Sequence, residues 1–282
     1  MSNVSYFAIK TIFVSKIKEF FFDYQYTIIS PLFSTLIFCI IFSTISNYYS
    51  VNIEKNSYLE FVVPGIIIMV AMQISFGSVS ENLINMKQLG TFNDYLISPI
   101  SRVEILISLI ITSLFMTLFI SLLNISLLLI FFVEYNSVNF ILSLYYLLLT
   151  SLIFTCLGTI VGFLSFTWDA QQSFANFFIL PISFLSGTFF SIDSVNQKWD
   201  IFFEYNPFFL LVNNFRNSFF NKNSFILFEE ALSSLTILVF IVPVVIIIFL
   251  DVFFDKLERK FIKTFRSTFI SVKEEALLYN FE

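Results

Sequence analysis

The chain has 282 residues, of which 57% are hydrophobic and only 12% charged, with a formal net charge of −5 and no histidine. An average soluble domain carries about 25% charged residues, so a water-soluble globule is excluded at the outset. The missing histidine removes the commonest general base, proton shuttle and metal ligand together, and Cys39 and Cys156, both in apolar stretches, read as small hydrophobes rather than a disulfide or metal framework.

Residues 4–22 come first. Ile9, Phe13, Ile17 and Phe20 recur at helical spacing while Lys10, Lys18 and Glu19 fall elsewhere on the wheel. This predicts an amphipathic helix lying along a membrane interface. No short apolar run with a small-residue cleavage site precedes it, so the first hydrophobic segment is expected to stay as an anchor.

Six stretches without any Asp, Glu, Lys or Arg follow, at 27–48, 61–80, 105–133, 139–165, 173–190 and 231–250. A hydrocarbon core of about 30 Å needs about 20 apolar helical residues. A charge at its centre costs roughly 2.5–3.5 kcal/mol on insertion scales. The pattern predicts an all-α integral membrane protein with six transmembrane helices. At the helical rise the third and fourth stretches are about 43 Å and about 40 Å long, so they should tilt or project beyond the bilayer. With both termini cytoplasmic, eleven Lys/Arg lie inside and four outside, Lys55, Lys198, Arg216 and Lys222. That contrast favours termini-in. One membrane domain, 1–255, with a cytoplasmic tail at 256–282 is the simplest division. The 42 Phe are best read as lipid-facing bulk from AT-rich codon bias rather than as an aromatic ligand path.

Between the second and third stretches the chain reads Glu81-Asn-Leu-Ile-Asn85-Met-Lys87-Gln-Leu-Gly90-Thr91-Phe-Asn-Asp94, then Ser98-Pro99 and Arg102. Gly90 offers a break, Thr91 an N-cap for a short helix to about Ile97, and Ser98-Pro99 its end. Pro64-Gly65 is expected to sit in the first turn of the second span, where the missing proline N–H is harmless. Such a capped element between two spans suits a push from a cytoplasmic partner.

Polar residues inside the spans, Gln73, Ser75, Ser78, Asn124, Asn176 and Ser183, serve either as interhelical glue or as the lining of a substrate path. Among these, Gln73, Ser75, Asn176 and Ser183 are the substrate-pathway candidates. The fifth stretch contains Pro181 and Gly187, which loosen a helix. The segment 191–226 that follows mixes Trp199, Phe202, Phe203, Phe208 and Phe209 with charges. It predicts short helices dipping into the outer leaflet. Arg216 there should either snorkel to lipid phosphate or take a carboxylate such as Glu204.

The strings VPGIIIM, GTFNDYLISPISRVEIL and LSGTFFSIDSV…YNPFFLLVNNFR, at Pro64, Gly65, Gly90, Thr91, Pro99, Gly187, Asn206, Pro207 and Arg216, resemble the membrane subunit of ABC-2-type exporters. This is the family of daunorubicin, lipo-oligosaccharide and polysaccharide export permeases. The resemblance covers roughly residues 5–255. It implies a multi-pass permease of the bacterial inner membrane that works as a homodimer or with a close paralogue. Two copies of a separate ABC ATPase subunit would bind ATP and Mg2+, with no cofactor in this chain. By that resemblance Glu81, Asn85, Lys87, Gly90, Thr91, Asp94, Pro99 and Arg102 would couple to the ATPase. Pro181, Gly187, Asn206, Pro207 and Arg216 would form an outer gate. Asn93 and Asp94 stand where relatives often carry glutamates. The acidic tail residues Glu274, Glu275 and Glu282 have no family counterpart. No G-x-x-x-x-G-K-[ST] phosphate loop occurs in the chain. No metal site and no nucleic-acid partner are expected. Without charges inside the spans or visible inverted repeats, a stand-alone secondary transporter or channel is the second reading. A membrane enzyme would want clustered acid–base groups.

Overall fold

The computed structural model describes residues 6–49, 52–53, 56–91, 94–95, 98, 100–132, 138–190 and 206–220. The chain enters as α1 (Tyr6–Phe22). A π-turn over Gln25–Ile29 then leads directly into α2 (Ser30–Tyr49). Two short strands, β1 (Asn52–Ile53) and β2 (Asn56–Ser57), pair antiparallel with Asn52 opposite Ser57. This two-residue ladder qualifies the all-helical expectation. Long helices α3 (Tyr58–Gln88), α4 (Arg102–Phe131) and α5 (Phe140–Leu164) follow. The fifth stretch is α6 (Trp168–Phe174), a π-turn at Ala175–Ile179, and α7 (Leu180–Leu185). Pro207–Phe220 is α8.

Four described helices are long and apolar enough to cross a membrane: Gln25–Ser46, Tyr58–Gln88, Val103–Phe131 and Phe140–Leu164. They match the first four predicted spans. The fifth is helical but interrupted. The sixth, 231–250, and the tail at 256–282 lie outside the described residues.

Local sequence explains the helix starts. Ser57 accepts from the Glu60 amide at 3.3 Å while the Glu60 carboxylate accepts from the Ser57 amide at 3.0 Å. Ser101 and Glu104 repeat the same reciprocal box at 3.3 and 2.8 Å. Each pair satisfies two N–H groups that a helix start leaves orphaned. The helix therefore begins at Tyr58, and Pro64 lies inside it rather than in its first turn. There it removes one backbone donor and loosens the turn around residues 60–64.

Both π-turns end two residues before a proline, Pro31 and Pro181. A proline ring clashes with the carbonyl four residues back. Widening the preceding turn moves that carbonyl aside, and the Ser30 and Leu180 amides accordingly reach five residues back, to Gln25 and Ala175. Pro181 thus bends the pattern without breaking the helix. The break comes at Gly187, whose φ of 75° suits glycine.

The bundle packs around α3, buried on all sides from Phe61 to Met72. Its closest neighbour is α5, which runs in the same direction. A Cβ on Gly158 would run into the Phe76 carbonyl oxygen, and one on Gly162 would lie 3.0 Å from the Ser80 Cα. Gly158 and Gly162, four residues apart, let two backbones touch, the packing that replaces hydrophobic driving force between helices in lipid. Hydroxyls bind the third helix: Ser113 of α4 donates to the Ser75 carbonyl at 3.1 Å, accepts from Ser78, and bonds Thr155 of α5 at 3.0 Å. Along α4 the predicted stripe of α1 lands with one addition, Ile12. Phe13 meets Phe115 edge-on at 6.0 Å, and Phe20 meets Phe119 at 6.2 Å.

Gly158→Ala adds one methyl against a backbone carbonyl that cannot move alone. It is expected to destabilise the solubilised protein at the upper end of about 1–3 kcal/mol. Thermal unfolding reported by labelling of buried Cys39 and Cys156 checks this.

Candidate functional site

Many of the coupling and gate residues singled out in the sequence lie near the two ends of α3. At the Arg216 end, Asn206 caps α8 by accepting from the Phe208 amide at 3.0 Å, and Pro207 takes the first helical position, where its lack of an N–H is harmless. This presents Arg216 inward, only 2% exposed. Its Nε donates to the Phe61 carbonyl at 2.9 Å. An Nη donates to the carbonyls of Gly187 at 2.7 Å and Thr188 at 3.3 Å. The guanidinium lies 3.7 Å from the centre of the Phe61 ring, a cation–π contact strengthened by desolvation. Arg216 therefore does not reach out to lipid headgroups. It holds backbone carbonyls of the Pro64-loosened turn and of the turn closing α7. Glu204 lies outside the described residues, as do 191–205 and 221–226 of the predicted outer cap.

The glycines serve the same junction. A Cβ on Gly65 would lie 2.7 Å from the Thr188 carbonyl, and one on Gly187 would run into the Phe209 ring. Tyr58 adds a hydrogen bond to the Phe189 carbonyl at 3.1 Å. Five of the sequence-selected positions, Pro64, Gly65, Gly187, Asn206 and Arg216, thus belong to one joint, although more than 150 residues of numbering separate the first from the last. Pro181 stands apart from them, under the π-turn. Phe61 and Thr188 were missed because they act through carbonyls or a ring face that carry no residue-type signal, and Phe209, read as an interfacial ring, is instead buried against Gly187.

At the opposite end, Lys87 donates to the carbonyls of Gly162 and Phe163 at 2.7 Å and of Ser165 at 2.9 Å. Its ammonium also sits 4.8 Å from the Phe166 ring centre. All three of its protons go to the C-terminus of α5, where orphan carbonyls and the helix dipole favour a cation. Leu89 donates back to Asn85 at 2.9 Å, and Gly90 with φ 74° ends α3. Thr91 was expected to cap forward. Its hydroxyl instead bonds back to the Met86 carbonyl at 3.5 Å, finishing α3. The Asp94 carbonyl accepts from the Ser98 amide at 3.1 Å, one helical turn. Gly90, Thr91 and Asp94 are exposed. Tyr95 beside them has its hydroxyl pKa raised by burial and then by the Glu19 carboxylate of α1. Arg102 opens α4, but its side chain, Asn93 and Pro99 lie outside the described residues.

The four pathway candidates separate. Ser75 and Ser183 are fully buried and bond backward to Ala71 and Ile179 carbonyls, as interhelical packing residues do. Gln73 lines a cavity of about 650 Å³ together with Glu81 and Asn85. Asn176 is exposed in the π-turn, accepting from Gln172 at 3.4 Å. Asn124 is fully buried, and neither end of its amide finds a hydrogen-bond partner among the described residues. Ser121, one turn away, and Tyr146 of α5 carry buried hydroxyls in the same condition. Among the described residues no group of three acidic or thiol side chains could hold a metal.

Arg216→Ala leaves three carbonyls buried without their donor. It is expected to cost about 3 kcal/mol or more. Arg216→Lys should recover only part of that, because an ammonium lacks the planar fork. The thiol-labelling melt of the solubilised protein separates the two variants.

Comparison with known proteins gives a consistent result. Residues 8–220 match the family model described as ABC-2 type transporter. Over 223 residues the chain is 23% identical to the inner membrane transport permease YadH of Escherichia coli strain K12, covering 79% of this chain and 87% of that protein. The relative of the same name in Shigella flexneri matches to the same extent.

Proposed function

The chain belongs to the ABC-2 type transporter family, and from that premise we propose that it is the permease subunit of an exporter driven by a separate ATP-binding subunit. ATP and Mg2+ would be bound there and not in this chain. It resides in the bacterial inner membrane, as its relative the inner membrane transport permease does by name. Its cargo is an amphipathic, lipid-linked or drug-like molecule. The Lys87 end of α3 is the cytoplasmic end, and the Arg216 end faces outward.

The observation that carries this reading is the form of α3. It is one helix of 31 residues, about 46 Å long. Exposed Gly90, Thr91 and Asp94 hang at one end and the Arg216 joint lies at the other. Lys87 ties the first end to α5, so a push on the exposed element is not absorbed locally. It moves α3 and α5 together as a rigid pair. At the far end the Pro64-loosened turn can yield, and the carbonyls that Arg216 grips belong to both α3 and the turn after α7. A displacement of one therefore strains the other, which is how a cytoplasmic event would reach an outer gate. Glu81, Asn85, Gly90, Thr91 and Asp94 are the coupling positions on the described surface. Lys87 supports them from within.

A second copy of the chain, or a close paralogue, completes the pathway. Asp169, Gln172, Ser173 and Asn176 form an exposed polar strip beside exposed Phe177 and Phe178. Amides facing hydrocarbon seek partners, so this face is better matched by another permease than by lipid.

With the native cysteines replaced, Asp94→Cys is expected to crosslink to the co-expressed ATPase and to resist impermeant thiol reagents applied from the periplasm. Labelling from outside would reverse the topology and end the coupling assignment. Mass measurement of the solubilised ATPase-active complex should give two permease copies. A stable active complex with one copy would rule out the paired pathway.

A further inference from the structure

The cavity between α1–α2 and the α3–α4 pair has a lining that is graded along its length. Its α3 wall runs from Val70 to Asn85, about 22 Å at the helical rise. Val70 and Ile74, faced by Met116 and Ile120 of α4, make one end apolar. Glu81, Asn82 and Asn85 make the other polar. Gly77 leaves the wall bare between them, and a Cβ there would come within 3.3 Å of the Glu81 carboxylate. The opposite wall brings Lys16, Glu19 and Asp23. Phe42 of α2 meets Tyr58 of α3 edge-on at 6.0 Å, and Asp23, just before the π-turn that leads into α2, lines the same cavity as Gly77 and Glu81.

Charge decides what such a groove would hold. Three carboxylates and one ammonium line it. Lys16 is committed to Glu19 at 2.7 Å, and among the described residues no cation pairs with Asp23 or Glu81. Two carboxylates are left facing a partly enclosed space, where attraction for a cation exceeds its value in open water. The volume of about 650 Å³ lies within the range of small-molecule pockets, roughly 300–1,000 Å³.

We propose that this groove is a loading site for a drug-sized amphiphile carrying a positively charged amine, with the amine between Asp23 and Glu81 and the apolar part against Val70, Ile74, Met116 and Ile120. The assignment rests on the permease reading and names the class of cargo taken at its cytoplasmic side. It also gives Glu81 a role besides the coupling surface, because its carboxylate turns back toward Gly77.

The test uses the full chain, solubilised with its ATPase in a non-ionic maltoside detergent, and radiolabelled dodecyltrimethylammonium as probe. Saturable binding is expected. Dodecyl sulfate should not displace the probe, and neither should phosphatidylethanolamine, whose two chains exceed the space. Glu81→Gln and Asp23→Asn should each weaken binding at least ten-fold. Gly77→Leu, which fills the groove, should abolish it. Elution profile and thiol-labelling melt confirm that each variant is folded. Equal displacement by dodecyl sulfate, displacement by phosphatidylethanolamine, or undiminished binding to a folded Gly77→Leu protein would each overturn the proposal. The permease reading fails separately: if no ATPase associates with the chain, it is lost whatever the groove binds. Loss of amine binding in a complex that still exports another cargo discards only the loading site.

Discussion

Two backbones in contact hold the rest of this molecule in place. Inside hydrocarbon, apolar side chains gain nothing by leaving lipid for each other, so helices associate through close packing and hydrogen bonds. Gly158 and Gly162 supply the packing, since without a Cβ at these positions α5 comes into van der Waals contact with the α3 backbone. Once that approach is made, Lys87 falls beside the last carbonyls of α5, and the Ser75–Ser113–Thr155 hydroxyls come within bonding distance. A side chain at either glycine would hold the two helices apart and stretch both the Lys87–carbonyl bonds and the hydroxyl bonds.

Two cations of the chain, Lys87 and Arg216, are spent on its own backbone. Lys87 closes the end of α5, and Arg216 closes the turn after α7 while holding the loosened turn of α3. Both cations are surrounded by carbonyl oxygens and aromatic faces. A carbonyl carries only a partial charge, so several are needed to replace the hydration of one cation, and both residues recruit three. The outcome is a bundle locked at both ends and left soft at Pro64 and at the two π-turns.

The helices were legible because their signal is length without charge, which any bilayer imposes. The capping boxes at Ser57–Glu60 and Ser101–Glu104 and the Gly158–Gly162 spacing are written in the sequence too, but a reading built on charge-free runs passed over them. Counting the second span from its charge-free run at residue 61 hid the first box and put Pro64 one turn too early. Site residues were legible as positions but not as roles. Arg216 was recognisable as an expensive charge, yet its ligands are main-chain oxygens contributed by Phe61, Gly187 and Thr188, which no residue type announces. Lys87 likewise looked like a surface charge, and only the arrival of α5 beside it converts it into a cap.

Asn176 and Ser183 stand seven residues apart, a spacing that places two side chains on one face of a regular α-helix. Here the first is exposed and the second fully buried. The π-turn at Ala175–Ile179 holds one residue more than an α-helical turn would, and so rotates everything after it by about 100°. The count of residues in that turn decides which polar groups meet the neighbouring surface and which are sealed inside. A one-residue deletion there would leave composition and hydropathy almost untouched yet turn Asn176 and Ser183 toward the same side. Along this stretch the chain is constrained in its length as firmly as in its chemistry.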